Sequence, residues 1–434
     1  MTPLLTTFVT RAATRVKTRD DLDVLKREIA RETGTAMPQN SSILAEYVQL
    51  VERGAMPKNA ALEKVLRIRS IRSMSGIVPI GVHTKPMGCP GRCVFCPTEV
   101  RMPKSYLSKQ PAVMRAIANE FDPYKMVSNR LLQLERNGHN TEKCELIVMG
   151  GTWSAHPRPY QEEFIRRCFD GFNGCDAADL EEAKHMNETA KHRVVGITLE
   201  TRPDWVDEEE VVRWRRYGAT RTEIGVQHTD NRVLELVKRG HGIEASMHAT
   251  QLFKDAGFKI TYHMMPGLPG STPEMDLAMH REIFARPELK PDQIKIYPCL
   301  VNEHAELYQW FKDGRFVPYD DATLDELLIR IKTTVPEYCR IARLFRDFPK
   351  EVIQGGSQIT NFRQKVQQEM NARGLKCVCL RCREARGRTV DVQNAELVVR
   401  EYDASGGKEI FLSFESPDRS VLYAFLRLRF HSYA

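Results

Sequence analysis

Ile77-Val-Pro-Ile-Gly-Val-His-Thr-Lys-Pro-Met-Gly-Cys89-Pro-Gly-Arg-Cys93-Val-Phe-Cys96-Pro97 opens the part of the chain that decides its fold. Its first six residues are a short apolar run with β-branched members, which fits a buried strand. Five similar runs follow: Glu145-Leu-Ile-Val-Met149, Val194-Val-Gly-Ile-Thr-Leu199, Thr222-Glu-Ile-Gly-Val226, Lys259-Ile-Thr-Tyr262 and Gln293-Ile-Lys-Ile-Tyr297. Helical patterns separate most of them. Ala112 to Asn137 reads as one helix, with Met114, Ile117, Ala118 and Phe121 on one face. Asp207 to Tyr217 and Ile243 to Ala256 read as two more, ended by Gly218 and Gly257. Strands alternating with helices give βα units and a parallel sheet. Six units predict an α/β fold, a partial (β/α)6 barrel, with its chemistry at the C-terminal strand ends.

Polar motifs fall at those six ends. The cysteine loop follows the first strand, Gly150-Gly151-Thr152 the second and Glu200-Thr-Arg-Pro-Asp204 the third. Gln227-His228 follows the fourth, Pro266-Gly-Leu-Pro-Gly270 the fifth and Cys299 the sixth.

The loop spacing Cys89-x-x-x-Cys93-x-x-Cys96 supplies three soft thiolates, enough to hold three irons of a [4Fe–4S] cubane. The fourth iron then keeps an open position that suits the amino and carboxylate groups of S-adenosylmethionine. Zinc, which prefers four ligands, is the poorer fit, and would need a distant Cys or His. Gly150 and Gly151 would let the backbone approach the methionine portion of that cofactor. Glu200 and Gln227 suit hydrogen bonds to its ribose or amino group, and Arg202 a bidentate pairing with its carboxylate. The bland alternatives are a tight turn and ordinary rim polarity.

A length of 434 residues implies two or more domains. The composition, 42% hydrophobic and 28% charged, excludes extended disorder. No apolar run is long enough for a membrane span, and the N-terminus lacks a secretory pattern. A cytoplasmic location is therefore expected, where the eleven cysteines stay as thiols. A second group, Cys377-Val-Cys379-Leu-Arg-Cys382, suggests a structural zinc with Cys299 as fourth ligand, the alternative being free thiols. The closeness of Cys377 to Cys379 leaves open whether both would bind.

Residues 1–75 hold 13 Lys and Arg against 8 Asp and Glu. Arg11, Arg15, Lys17 and Arg19 crowd one end; Arg67, Arg69 and Arg72 crowd the other, where Lys64, Arg67, Ile68 and Ile71 fit helical spacing. The segment reads as helical, broken between Gly34 and Asn40, and offers either a phosphate-binding surface or a solvated face. The expected domains are a basic helical extension (1–75), the partial barrel (76–320), a helical and Cys-rich linker (321–382, helical over 322–346) and a β meander (383–434).

The ordered set of the cysteine loop, Arg115-Ala-Ile117, Asp122-Pro-Tyr124, Met149-Gly-Gly-Thr152, Glu200-Thr-Arg-Pro-Asp204, Gly225-Val-Gln227, Arg239-Gly-His241, His263-Met-Met-Pro266 and Leu426-Arg-Leu-Arg429 resembles the catalytic subunit of Elongator over nearly the whole chain. It is most similar to the bacterial and archaeal stand-alone members. The resemblance implies a radical S-adenosylmethionine domain followed by a GNAT-like α+β acetyltransferase domain. It implies modification of the wobble uridine of tRNA at carbon 5, the anticodon stem-loop being the partner. A 5′-deoxyadenosyl radical would take hydrogen from acetyl-CoA, the acetyl radical would add to the uridine, and thioester hydrolysis would leave a carboxymethyl group. Lys143 matches a family lysine tied to acetyl-CoA; by itself it would be only an exposed lysine at a strand start. A stand-alone or homo-oligomeric protein is expected.

The family's Gln-x-x-Gly-x-Gly pyrophosphate loop is absent from these residues. Residues 383–434 thus resemble only the first part of the acetyltransferase domain, and weak acetyl-CoA binding is expected. Two other readings compete. A methylthiotransferase-like enzyme would need further cluster cysteines near the N-terminus, and residues 1–75 have none. A non-catalytic tRNA-binding protein with a structural cluster would not cleave S-adenosylmethionine.

Overall fold

The computed structural model describes residues 3–67, 73–359, 361–386, 388 and 391–433. It divides into two compact units: Met1–Ile80, Asp122–Leu146 and Arg166–Val195 form one, and Gly81–Phe121, Ile147–Ile165 and Gly196–Ala434 the other.

The first unit holds the helices α1 (Pro3–Arg15), α2 (Arg19–Thr33), α3 (Asn40–Glu52) and α4 (Ala60–Leu66). Thr18 and Asp21 form a reciprocal capping box at the start of α2, and Gly34 ends it in a left-handed conformation. Leu22, Leu25 and Ile29 recur at helical spacing and meet Phe8, Val9, Ile43, Leu44, Tyr47 and Leu62 in one buried core. Burying each large apolar side chain contributes about 1.5–3 kcal/mol. The helical pattern expected across Lys64–Ile71 stops sooner, because α4 ends at Leu66 and Arg67 turns out of the helix. Ile68, Arg69, Ile71 and Arg72 lie outside the described residues.

The expected strands form as β1 (Val78–His83), β2 (Lys143–Met149), β3 (Arg193–Thr201), β4 (Arg221–Gln227), β5 (Lys259–Met264) and β6 (Gln293–Ile296). A seventh, β7 (Arg340–Leu344), joins them in one sheet of order β1-β2-β3-β4-β5-β6-β7. The pairings from β3 to β7 are parallel. β7 falls within the segment expected to be helical. The helix there runs only from Asp321 to Thr334, because Pro336 disfavours helical backbone at Val335. The chain then re-enters the sheet, placing Ile341 opposite Ile294.

The single helix expected over 112–137 is two, α5 (Pro111–Ala118) and α6 (Pro123–Arg136). Glu120 and Phe121 take positive φ between them, and Asp122 caps α6 by accepting the Lys125 N–H. The face carrying Met114 and Ile117 is exposed; Val113 and Ala116 are the buried residues of α5.

The expected meander is β8 (Glu396–Ala404), β9 (Gly407–Glu415) and β10 (Leu422–Phe430), antiparallel in the order β10-β9-β8. The face toward the barrel is charged. Lys254, fully buried on the helix Ile243–Asp255, bonds Glu409 at 3.1 Å, and Arg429 pairs with Asp255 at 2.6 Å. Arg427 pairs with Asp292, and Tyr402 stacks on Tyr338 at 4.1 Å. The opposite face exposes Leu397, Val399, Phe414, Leu426 and Leu428. No helix among the described residues is long and apolar enough to cross a membrane.

Candidate active site

The cysteine loop leaves β1 directly, and the Thr84 N–H donates to the Met149 carbonyl at 2.9 Å, tying the ends of β1 and β2 together. Cys93 is buried; Cys89 and Cys96 are partly exposed. Cys89 sulfur receives the Gly91 N–H at 3.4 Å and lies 3.4 Å from the Thr152 hydroxyl. Cys93 sulfur receives Nη1 of Arg239 at 3.4 Å and Nη1 of Arg202 at 3.9 Å. Burial pushes the Cys96 thiol up to about 11, so iron binding would displace its proton.

These thiols stand for the thiolates of a cluster, and their spacing is not that of a single-metal site. A single tetrahedral zinc, with sulfur at about 2.3 Å, draws its thiolates to about 3.8 Å apart. Cys377, Cys379 and Cys382 are close enough for that, all three sulfurs lying within 4.8 Å of one another. The loop cysteines are not such a group among the described residues, as suits ligands that each take a different iron.

Two further features line the same strand ends. Gly150 has φ 139°, and a Cβ there would collide with the Thr84 hydroxyl. Only glycine brings backbone through this position. Gln227 ends β4 with φ 71°, beside a register shift from Ile224, and its buried Oε1 has no hydrogen-bond partner. An orphaned buried acceptor is expensive unless a ligand completes it, which fits an amino or hydroxyl group of S-adenosylmethionine.

Glu200 and Arg202 both have protein partners. Glu200 accepts from the Tyr106 hydroxyl at 2.9 Å and is paired in register with Glu223. Arg202 is already engaged: Nε and Nη2 bind Asp204 at 3.0 and 2.8 Å, Nη2 also reaches the Arg239 carbonyl, and Nη1 points to Cys93. No donor fork is left for a cofactor carboxylate, which corrects that expectation.

Around Glu200 lies a polar group that periodicity alone did not disclose. Glu223 contacts Lys295 and His263, the latter at 2.6 Å. Burial works to raise both carboxyl groups. At Glu223 the Lys295 ammonium and His263 outweigh it and hold the pKa low. At Glu200 burial and the neighbouring Glu223 prevail, and the pKa rises. Glu200, Glu223 and His263 are spaced to hold a metal ion, but Lys295 already supplies the cation. Two facing carboxyl groups with pKa values pushed apart can hold and pass one proton. The available signal was Glu223 itself, an acidic residue inside an apolar strand.

Cys299 does not join the second thiol group. Its side chain packs with Val94, Val233, Leu268, Val301 and Leu307, and burial pushes its thiol far up. Lys143 is the exposed first residue of β2, while Gly150 and Gly151 follow its last. Among the basic residues, Arg11 pairs with Glu32 at 2.7 Å, Arg15 with Glu28 at 2.9 Å, and Arg19 donates to the Arg67 carbonyl. Lys17 is exposed.

The Radical SAM superfamily profile matches residues 85–283, and the Radical_SAM C-terminal domain profile residues 291–372. A tRNA uridine(34) acetyltransferase of Methanocaldococcus jannaschii is 44% identical over 422 residues, covering 94% of this chain and 77% of that protein. Elongator complex protein 3 of Homo sapiens is 36% identical over 430 residues, covering 94% and 76%. The solved structure of archaeal Methanocaldococcus infernus Elp3 with an N-terminal deletion superposes with TM-score 0.73 at 42% identity, covering 82% of this chain and 78% of that one. The chain is therefore a radical S-adenosylmethionine enzyme and belongs to the family that includes the tRNA uridine(34) acetyltransferases and Elongator complex protein 3.

Proposed function

We propose that this protein modifies the wobble uridine of tRNA at carbon 5, forming a carboxymethyl group with acetyl-CoA as co-substrate. The observation that carries the reading is the cysteine loop set beside Gly150 and the unpartnered Gln227 Oε1, in a chain 44% identical to a protein named tRNA uridine(34) acetyltransferase. A [4Fe–4S] cluster on Cys89, Cys93 and Cys96 would supply one-electron cleavage of S-adenosylmethionine. Gly150, Gly151 and Gln227 bind that cofactor. Burial and the neighbouring Glu223 raise the Glu200 carboxyl, whose hydrogen-bond partner is Tyr106, while Lys295 and His263 hold Glu223 low. Lys143 is assigned to acetyl-CoA by resemblance.

The basic extension (1–75) binds the tRNA anticodon stem-loop through Arg11, Arg15, Lys17, Arg19 and Arg67, with Arg69 and Arg72 assigned from sequence. The exposed ion pairs of Arg11 and Arg15 are worth about 0–1 kcal/mol each and can be exchanged for phosphate contacts. Residues 76–320 form the catalytic barrel, 321–382 a linker in which Cys377, Cys379 and Cys382 offer three of the four ligands that a structural zinc needs, and 383–434 the acetyltransferase-like part. All eleven cysteines are free thiols, which suits the cytoplasm, and we assign a stand-alone or homo-oligomeric state.

The test is anaerobic incubation of the iron-loaded, reduced protein with S-adenosylmethionine, acetyl-CoA and tRNA. Expected products are 5′-deoxyadenosine and a carboxymethylated uridine, both lost in Cys93→Ser. Iron-loaded protein that yields no 5′-deoxyadenosine would overturn the reading.

A further inference from the structure

Two sequence motifs, Glu200-Thr-Arg-Pro-Asp204 and Arg239-Gly-His241, converge on one sulfur atom. Arg202 follows β3 and Arg239 follows the helix Asn231–Leu236, and both direct Nη1 at Cys93. Both are buried, at 6% and 5% exposure. Neither is free to swing away. Arg202 is clamped by Asp204 and by the Arg239 carbonyl, and Arg239 Nη2 donates to the Gly225 carbonyl at 2.6 Å. Space is reserved for both guanidinium groups. A Cβ on Gly91 would collide with Arg202 Nη1, and a Cβ on Gly225 would stand 2.7 Å from Arg239 Nη2. His241 Nε2 lies 3.9 Å from Asp204, so the two motifs also meet behind the arginines. Among the described residues, Cys93 alone of the three loop cysteines receives guanidinium hydrogen bonds.

We propose that Arg202 and Arg239 are positioning residues that set the reduction potential of a cluster on Cys89, Cys93 and Cys96 through hydrogen bonds to the Cys93 sulfur. The inference rests on the cluster reading above. Hydrogen bonds to cluster sulfurs and local net charge govern such potentials. Uptake of one electron from an external reductant makes the cluster and its thiolates more negative by one charge. Two buried cations at Cys93 stabilise that state and raise the potential. The carboxylate of Asp204 offsets part of the Arg202 charge. Arg239 has only a backbone carbonyl as its other hydrogen-bond partner, so it carries the larger share.

The opposite signs make the idea testable. Wild-type, Arg239→Gln, Arg239→Lys and Asp204→Asn proteins are loaded with iron anaerobically, their iron content is measured, and the midpoint potential is read by redox titration with electron paramagnetic resonance. Arg239→Gln should shift the midpoint to more negative values, Arg239→Lys should restore most of the shift, and Asp204→Asn should shift it the other way. A purely architectural role would not produce shifts of opposite sign. If Arg239→Gln loads no iron, Asp204→Asn decides alone, because it keeps both guanidinium groups. Iron-loaded variants with unchanged midpoints overturn the proposal. Wild-type protein that takes up no iron would remove the cluster reading itself.

Discussion

Glu200 and Glu223 stand directly opposite each other on adjacent parallel strands, so their carboxyl groups share one face of the sheet. Lys295 and His263 contact Glu223, whereas Tyr106 contacts Glu200. The Lys295 cation thus sits on Glu223, and Glu200 has a hydroxyl donor in its place.

Removing that cation should be costly. Lys295→Met leaves Glu223 buried without its strongest partner, and breaking such a pair costs about 3–5 kcal/mol. The double variant Lys295→Met/Glu223→Gln removes both charges and should recover most of the loss. Urea denaturation of the two variants checks this. A double variant as unstable as the single one would refute the pairing.

Acid should destabilise the fold earlier than carboxylate titration alone would. Burial depresses His83 to about 3, and His156 and His280 to about 4. Each keeps at least one buried ring nitrogen without a partner. The unfolded value is about 6.5, so the folded state binds fewer protons below it. Their stabilisation is complete above pH 6.5 and is lost as pH falls toward 4. Three such groups give a slope of up to about 4 kcal/mol per pH unit. Denaturation midpoints between pH 7.5 and 5.5 measure it, and His280→Gln or His156→Gln should each remove about a third of the slope. Equal slopes in wild type and both variants would exclude these histidines.

Gly150→Ala forces a Cβ into Thr84 at a backbone angle suited to glycine. A loss of about 2 kcal/mol or more is expected, with S-adenosylmethionine binding weakened about tenfold or more. Thermal unfolding and titration calorimetry report the two effects. Normal cofactor affinity in this variant would detach Gly150 from the site.

Much of this was legible in the sequence. Six strands, the meander and the cysteine loop could all be read, since apolar runs and thiol spacing are local signals. β7 was hidden because Arg340-Ile-Ala-Arg-Leu344 carries two arginines and continues a helical pattern. The break before Asp122 depends on positive φ at Glu120 and Phe121, residue types that do not announce it. Arg202 looked like a cofactor ligand because its partners, Asp204 and Cys93, can be identified only in three dimensions. Cys299 looked like a zinc ligand for the same reason.

In a chain of these 434 residues, the exposed apolar face of the meander favours self-association. Leu397 faces Phe414, and Leu412 lies between Val399 and Leu426, in register across three strands. Contiguous apolar surface of this kind favours association. Phe414→Lys with Leu426→Asp should reduce concentration-dependent light scattering without lowering the unfolding temperature. Scattering that stays the same would place the sticky surface elsewhere.

Transfer RNA should compete with acidic residues for Arg11 and Arg15. Glu28→Gln and Glu32→Gln remove those competitors and should tighten binding severalfold at low salt, while Lys17→Ala should weaken it. Filter-binding titrations across salt concentrations test this. A flat salt response would remove the basic extension from the interface.

The reversed polarity of the meander also dictates what it can dock on. Its inward side chains Arg427, Arg429 and Glu409 reach their partners Asp292, Asp255 and Lys254 only after the barrel has brought the last helix turn before β5 and the start of β6 into place. The ribbon's seat on the barrel is therefore specified by which charges meet, since each of these buried groups would be left uncompensated on any surface lacking its partner.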